Sequence, residues 1–361
     1  MELRLVGSEM CIRDRSNATR ELKKKKGESC AEDELQNYLK SVDPEKASAE
    51  TKSLLKIANS TDEVVLLYTK TINGELCAQV ISRYLKSNKW SNIALRELPL
   101  EENEAQFERR GLRELVNILI EEITKAQREN REVIINATGG FKAEIAYTTI
   151  VGMIFQVPVK YIYQFFEQPI TFPSLPISWD INLLLEYESF FQWIDEEPRK
   201  NLEVEKRLKI IPELERNQVQ QLLSPADENN EIILSAAGDI LWKRVAQQRE
   251  LAEFIEDASP SKIPIADKIS SSLNEVKHHF PKGTRKFVEK IAQVEAVEEI
   301  ISGNFENTTN KRIKKIDDDG SIRLLWADNE KAVNLFLRTT ARGQPQTLKL
   351  CDRYIRPLLD S

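Results

Sequence analysis

Histidine is almost absent from this sequence and cysteine is sparse. His278 and His279 stand side by side, and the four cysteines (Cys11, Cys30, Cys77, Cys351) are scattered without a C-x-x-C pair. A structural zinc site, which needs several thiolate or imidazole ligands, is therefore not expected, and neither is a disulfide framework. The expected setting is reducing and cytoplasmic. No apolar run reaches the roughly 18 residues that a membrane helix needs, so neither a membrane span nor a secretory signal is expected. The common nucleotide loops are missing too. There is no G-x-x-x-x-G-K-[ST] and no G-x-G-x-x-G, which argues against an ATPase and a dehydrogenase.

What is present suits an ordinary water-exposed chain with cores. Of the 361 residues, 41% are hydrophobic and 30% charged, and at roughly 150 residues per domain two or three domains are expected. The net charge of −6 is uneven: residues 261–361 carry 18 Lys+Arg against 14 Asp+Glu, a net of +4, and the remaining 260 carry 34 against 44, a net of −10. That distribution suits a tail that alone meets a polyanion, and equally a plain fluctuation between domains. Residues 1–16, MELRLVGSEMCIRDRS, have neither alternation nor helical period. SEMCIRDRS resembles a translated sequencing adaptor, so the segment is set aside and the fold is expected to begin near Asn17.

From residue 17 to 182 the pattern alternates. A polar helix is expected over 32–58, a strand at 64–68, a helix over 75–85 and a strand at 93–98. Residues 105–129 place Phe107, Leu112, Leu115, Val116, Leu119, Ile120 and Ile123 on one helical face. The apolar strand Val133-Ile134-Ile135 follows, then the turn Asn136-Ala137-Thr138-Gly139-Gly140, an apolar helix over 141–155, and strands at 159–165 and 175–179. Continuous apolar strands alternating with helices mean an α/β domain whose parallel sheet is covered on both faces. Residues 183–258 read as helical patches around the short strand-like stretch 231–235. This is compatible with a small winged-helix-like connector and equally with a helical linker. Residues 259–361 read as helices over 265–278 and 284–301, then three strands at 312–316, 321–326 and 332–338, a small α+β domain.

The glycine turn has a chemical meaning. Paired glycines admit positive φ and let a ligand approach the backbone. Free amides at the start of the following helix favour an anion, Lys142 adds a cation, and Asn136 and Thr138 add side-chain hydrogen bonds. In open parallel sheets ligands sit beyond the carboxyl ends of the strands. The nonapeptide Asn136-Ala137-Thr138-Gly139-Gly140-Phe141-Lys142-Ala143-Glu144 resembles the signature turn of CARF domains, the sensors of CRISPR-linked cyclic oligoadenylate signalling. The resemblance covers about residues 17–180. It implies a Rossmann-like fold, a homodimer, and a cyclic oligoadenylate (a ring of four or six adenylates) as allosteric ligand, with cyclic tetra-adenylate the first choice and no other cofactor. Thr69 and Lys70 sit where that family has a second ligand-facing loop, and Gly139, Gly140 and Phe141 complete the ligand set. CARF domains begin with a β-strand running into a small-residue phosphate loop. With residues 1–16 set aside, that first strand is expected to be missing.

Between Asn310 and Arg342 the cations cluster on strands: Lys311, Arg312, Lys314 and Lys315, then Arg323, then Arg338 and Arg342. Alternation puts Lys311 and Lys315 on one face of their strand and Arg312 and Lys314 on the other. Such a sheet suits RNA phosphates, and a solvated charged hairpin is the plain alternative. Arg323-Leu324-Leu325-Trp326 and Phe336-Leu337-Arg338-Thr339-Thr340-Ala341-Arg342, in their order of helices and strands, resemble RelE-type toxins, small ribosome-dependent mRNA endonucleases that work with Lys and Arg. The resemblance covers about residues 262–361. It implies RNA binding and activation by Lys311, Arg312, Lys314 and Lys315, phosphorane stabilisation by Arg323 and Arg338 or Arg342, and base stacking by Tyr354, without a metal. His278 and His279 read as helix-end residues. The expectation is thus a cyclic-oligoadenylate-switched endoribonuclease acting on ribosome-bound mRNA. Its rivals are a ligand-responsive DNA-binding regulator and an enzyme that hydrolyses the ring itself.

Overall fold

The structure, a computed structural model, describes residues 3–7, 28–43, 45, 48–99, 107–140, 142–163, 166–173, 180–273 and 280–360. They form two compact units. One comprises Met1–Trp179, Gln221–Asp227 and Leu234–Ile240, and the other Asp180–Gln220, Glu228–Ile233 and Leu241–Ser361. Residues 183–258 are thus divided between the two.

The N-terminal unit holds a six-stranded sheet in the order β3-β2-β1-β4-β5-β6. Its strands are β1 (Leu3–Gly7), β2 (Glu63–Thr69), β3 (Asn92–Leu98), β4 (Val133–Asn136), β5 (Val159–Tyr161) and β6 (Ile170–Phe172). All pairs are parallel except β5 with β6. Helices α1 (Glu28–Ser41), α2 (Ala49–Ile57), α3 (Ile72–Ser87), α4 (Leu112–Arg128) and α5 (Lys142–Ile154) accompany it. Val64 and Leu66 of β2 pack with Val80, Ile81 and Leu85 of α3. The stripe Leu115, Val116, Leu119 and Ile123 of α4 is fully buried, as its helical spacing requires. Strand order 3-2-1-4-5-6 is that of a doubly wound nucleotide-binding fold, whose ligands sit where the order reverses, beside β1.

Three expectations need correction here. Residues 3–7, set aside with the adaptor-like segment, form β1, an interior strand paired with β2 over Leu3–Gly7 and with β4 over Leu3–Val6, so the first strand is present. The helix expected over 32–58 is two helices, with α2 started by Ser48, whose Oγ accepts from Thr51 N–H. Strand β5 ends at Tyr161, and the chain returns antiparallel as β6. The strand expected at 175–179 lies outside the described residues. In this unit, too, Arg113 of α4 pairs at 3.2 Å with the fully buried Asp239.

The C-terminal unit contains α6 (Asn182–Glu186), α7 (Glu188–Glu196), the short antiparallel pair β7 (Arg199–Lys200) and β8 (Glu231–Ile232), and between them α8 (Asn201–Leu208) and most of α9 (Glu213–Gln221). Helix α10 spans Ala236–Glu253. The main sheet follows α11 (Thr284–Ala292). It consists of β9 (Val297–Glu306), β10 (Arg312–Ile316), β11 (Ile322–Ala327) and β12 (Ala332–Thr339), antiparallel throughout in the order β10-β11-β12-β9. Helices α12 (Gly343–Leu350) and α13 (Arg356–Asp360) close the chain, joined by a wide turn over Cys351–Ile355.

Two helices expected here are corrected. Residues 265–267 and 271–273 form separate 3-10 turns, and the chain between them runs beside β9, with Ile300 N–H donating to Lys268 O at 2.8 Å and Ser270 N–H to Ile300 O at 3.0 Å. The helix expected to reach 301 stops at Ala292, and Val297–Glu306 is a fourth strand, because pairing along β12 outweighs the helical spacing of Val297, Ile300 and Ile301. On one face of the sheet Ile313, Ile316, Ile322, Leu324, Leu335 and Leu337 are buried. A four-member ion ring ties α7 and α10 to the C-terminal helices. Arg249 bonds Glu188 at 2.7 Å and Asp352 at 2.8 Å, and Arg356 bonds the same carboxylates at 2.8 and 3.0 Å.

Candidate functional site

In the N-terminal unit two strand-to-helix turns stand at the carboxyl ends of β2 and β4, the two neighbours of β1. At the β4 turn Asn136 is buried. Its Nδ2 donates to Ser53 Oγ at 2.7 Å, and its Oδ1 accepts the Thr138 N–H at 3.2 Å. Thr138 Oγ1 accepts the Ile162 N–H at 3.1 Å. Both side chains therefore hold the turn to α2 and to the chain after β5. Gly140 takes φ +111°, and a Cβ there would lie 2.6 Å from Glu144 Oε2. Lys142 opens α5 and is exposed. Phe141 lies outside the described residues. Beneath the turn a small, mostly apolar crevice is lined by Leu67, Leu119 and Ile135, with Asn136, Glu144 and Thr148 as its polar members.

At the β2 turn Thr69 is buried, and its Oγ1 lies 3.2 Å from Thr71 Oγ1, which accepts the Gly74 N–H at 2.9 Å as the cap of α3. Gly74 is required by this packing, since a Cβ would lie 2.5 Å from Thr69 O. Lys70 is exposed and faces Glu97 at 3.4 Å. Thr69, Lys70, Asn136, Thr138, Gly139, Gly140 and Lys142 thus all lie at the same edge of one sheet. Sequence reasoning missed Ser53 and Thr71, and gave Glu144, the last residue of the nonapeptide, no role. The sequence marks Ser53 with no motif, whereas Thr71 followed three residues on by Gly74 is a recognisable helix cap.

In the C-terminal unit the expected alternation along β10 fails. The register jumps between Ile313 and Lys315, leaving Lys314 as a bulge. Directly paired residues share a face, and Arg312 pairs with Leu325, Lys315 with Arg323, and Arg323 with Phe336. Lys315 thereby joins Arg312 and Arg323, with Arg338 two residues beyond Phe336 on the same face. Lys311 is elsewhere: its Nζ lies 4.0 Å over Trp326, which stacks on Phe287 with centroids 4.0 Å apart.

Most of these cations are matched. Arg312 pairs with Glu186 at 2.9 Å, Lys314 with Glu306 at 2.8 Å, Lys315 with Asp317, and Arg338 with Glu299 at 3.0 Å. Burial pushes the Glu306 carboxyl up, but hydrogen bonds from Lys314 and Asn334 and the charge of Arg312 outweigh it, holding the group below the usual carboxylate range. Arg323 is exposed and rests over Phe336 at 5.1 Å. Arg342 is exposed at the start of α12, where Gly343 N–H donates to Asp318 O of the β10–β11 turn. Tyr354 is exposed on the wide turn before α13, with Arg353 at 5.6 Å. The sheet therefore brings Arg312, Lys315, Arg323 and Arg338 together, with Arg342 near its end, and sets Lys311, Lys314 and Tyr354 apart. His278 and His279 lie outside the described residues.

The first unit is thus an open, mostly parallel α/β sheet with a glycine turn and a small crevice at the carboxyl ends of its strands. Residues 45–175 of the chain match the model of a family described as CRISPR-associated protein (Cas_APE2256). That span begins after β1 and contains both turns. Among solved structures the chain is similar to protein VC1899 from Vibrio cholerae, at 8% identity over 94% of this chain and 77% of that one, with a TM-score of 0.27. It is also similar to Can2 from Sulfobacillus thermosulfidooxidans, solved in complex with cyclic tetra-adenylate, at 13% identity over 79% and 71%, with a TM-score of 0.20.

Proposed function

We propose that the N-terminal unit senses a cyclic oligoadenylate, cyclic tetra-adenylate first among them, and that its binding switches on an endoribonuclease in the C-terminal unit. The observation that carries the sensing half is the β4 turn: Gly139, Gly140 and Lys142 stand at the carboxyl edge beside the central strand, inside the span matched by a CRISPR-associated family. Because the Asn136 and Thr138 side chains are engaged in holding the turn, the ligand's phosphates meet backbone amides and Lys142. Two copies facing one ring across a two-fold axis would supply the second set of turns.

For the ribonuclease half, support comes from the RelE-like stretches and from four cations sharing one sheet face. Lys315 and Arg338 bind the backbone phosphates, and Arg323 and Arg342 stabilise the negative charge that develops on phosphorus. The experiment is in-vitro translation with and without cyclic tetra-adenylate, mapping cuts in the message. Cleavage only with the ring is expected, falling at least tenfold in Arg323→Ala. Equal cleavage with and without the ring overturns the coupling, and unchanged cleavage in Arg323→Ala overturns the site.

The DNA-binding alternative would use α8 and α9. Helix α9 carries Glu213 and Glu215, and its Arg216 donates to the carbonyls of Leu208 and Ile211. That chemistry suits a duplex backbone poorly.

A further inference from the structure

Phe336 occupies the middle of the cationic face, and the ribonuclease reading gives it no role. Its register partners are Arg323 on β11 and Ile301 on β9. The ring is pressed toward β9, where a Cβ on Gly303 would lie 2.4 Å from Phe336 Cε2. Glycine at 303 therefore makes room for the ring on the sheet surface. Phe336 is only half-buried, and the Arg323 guanidinium lies 5.1 Å from its centroid.

Of the cations that share this sheet face, all but one are matched by a carboxylate. Arg312, Lys314, Lys315 and Arg338 each have a carboxylate within 4.0 Å. Among the described residues none stands within that distance of Arg323. Its charge is exposed, and its donors stay open to an anion brought by something else. An unmatched, exposed guanidinium lying over an aromatic ring on a sheet face is a combination that holds single-stranded nucleic acid, through one base stacked on the guanidinium–ring pair and one phosphate on the cation. A purely structural pair would not need the exposure of Arg323.

We propose that Phe336 and Arg323 form a stacking site for one base of single-stranded RNA and its adjoining phosphate. The choice of RNA rests on the ribonuclease reading of this unit. Phe336 is a binding residue and takes no part in bond cleavage.

The test uses the full chain and a fluorescein-labelled ten-residue oligoadenylate, in RNA and DNA forms, followed by anisotropy over a salt series. Phe336→Leu should weaken RNA binding by about tenfold, the effect of losing one base–aromatic stack, with the salt slope unchanged. Arg323→Gln should weaken it and lower the slope by about 0.7, the loss of one phosphate contact on a single strand. Phe336→Tyr keeps the ring and should bind like the wild type, which separates loss of stacking from loss of fold. Wild-type affinity in Phe336→Leu overturns the proposal, as does an unmodified chain that binds no RNA; tighter binding of the DNA strand overturns the choice of RNA. Cleavage is scored for the same variants by in-vitro translation with and without cyclic tetra-adenylate. Phe336-dependent binding without any cleavage sinks the ribonuclease reading and leaves the stacking site, while ring-dependent cleavage with Phe336→Leu binding normally does the reverse.

Discussion

Replacing Gly140 by alanine puts the ligand turn under direct stress. At φ +111° an L residue pays a backbone penalty of about 1–3 kcal/mol. The new methyl also falls 2.6 Å from Glu144 Oε2. That carboxylate is the end of a flexible chain and can swing aside, at about 1 kcal/mol for leaving its rotamer. Together these give about 2–4 kcal/mol, which a unit of ordinary stability survives, since domains hold about 5–15 kcal/mol. By calorimetry the melting transition of the N-terminal unit should fall by roughly 5–10 °C. Titration with cyclic tetra-adenylate at a temperature where the variant is folded should show affinity reduced by about tenfold or more. A variant that melts with the wild type and binds the ring normally would refute the claim that glycine geometry shapes this turn.

Other outcomes follow from the same structure. Asn136→Leu removes the anchors to Ser53 Oγ and Thr138 N–H and strands both inside the unit. The expected loss is about 2 kcal/mol by thermal unfolding, with Ser53→Ala losing about half as much. In the ion ring, Arg249→Met leaves Glu188 and Asp352 each short of a partner and should cost about 2–4 kcal/mol; combined with Glu188→Gln the losses should fall short of additive by more than about 0.5 kcal/mol. Asp328 accepts backbone N–H bonds from Lys282, Glu330 and Lys331, which hold its carboxyl down at about 2. A depressed folded value contributes stability that is complete above the unfolded value near 4 and is lost as pH falls from about 4 to about 2. Asp328→Asn should flatten the melting-temperature profile across that window.

The strands β2, β3 and β4 and the helices α4 and α5 were legible because their apolar residues run continuously or at helical spacing. β1 was not. Leu3-Arg4-Leu5-Val6-Gly7 is short, and its identity as a strand comes from two neighbours about 60 and 130 residues further on. β9 was read as helix because Val297, Ile300 and Ile301 fall three and four apart, and pairing with β12 overrode that spacing. The candidate turn was legible in kind, as glycines and a lysine at a strand end, but the side-chain roles were not. Asn136 and Thr138 were expected to reach a ligand, yet their hydrogen bonds go to Ser53 and Ile162, partners that only the fold brings near. The bulge at Lys314 left no mark in the sequence, yet it decides which cations share a face.

The four-stranded sheet also has both margins occupied. Along β10 the bulge interrupts the ladder, and the Asn182 Oδ1 takes the Ile316 N–H at 2.8 Å. Along β9 the chain at residues 268–270 has already taken up the free donor and acceptor of Ile300. Each margin thus has part of its row of backbone groups already engaged among the described residues, which works against growth of this sheet by strand addition. The same contacts oppose capture of an extended peptide by that route. On its cationic face, a single residue inserted into or deleted from β10 would rearrange the pattern of charge.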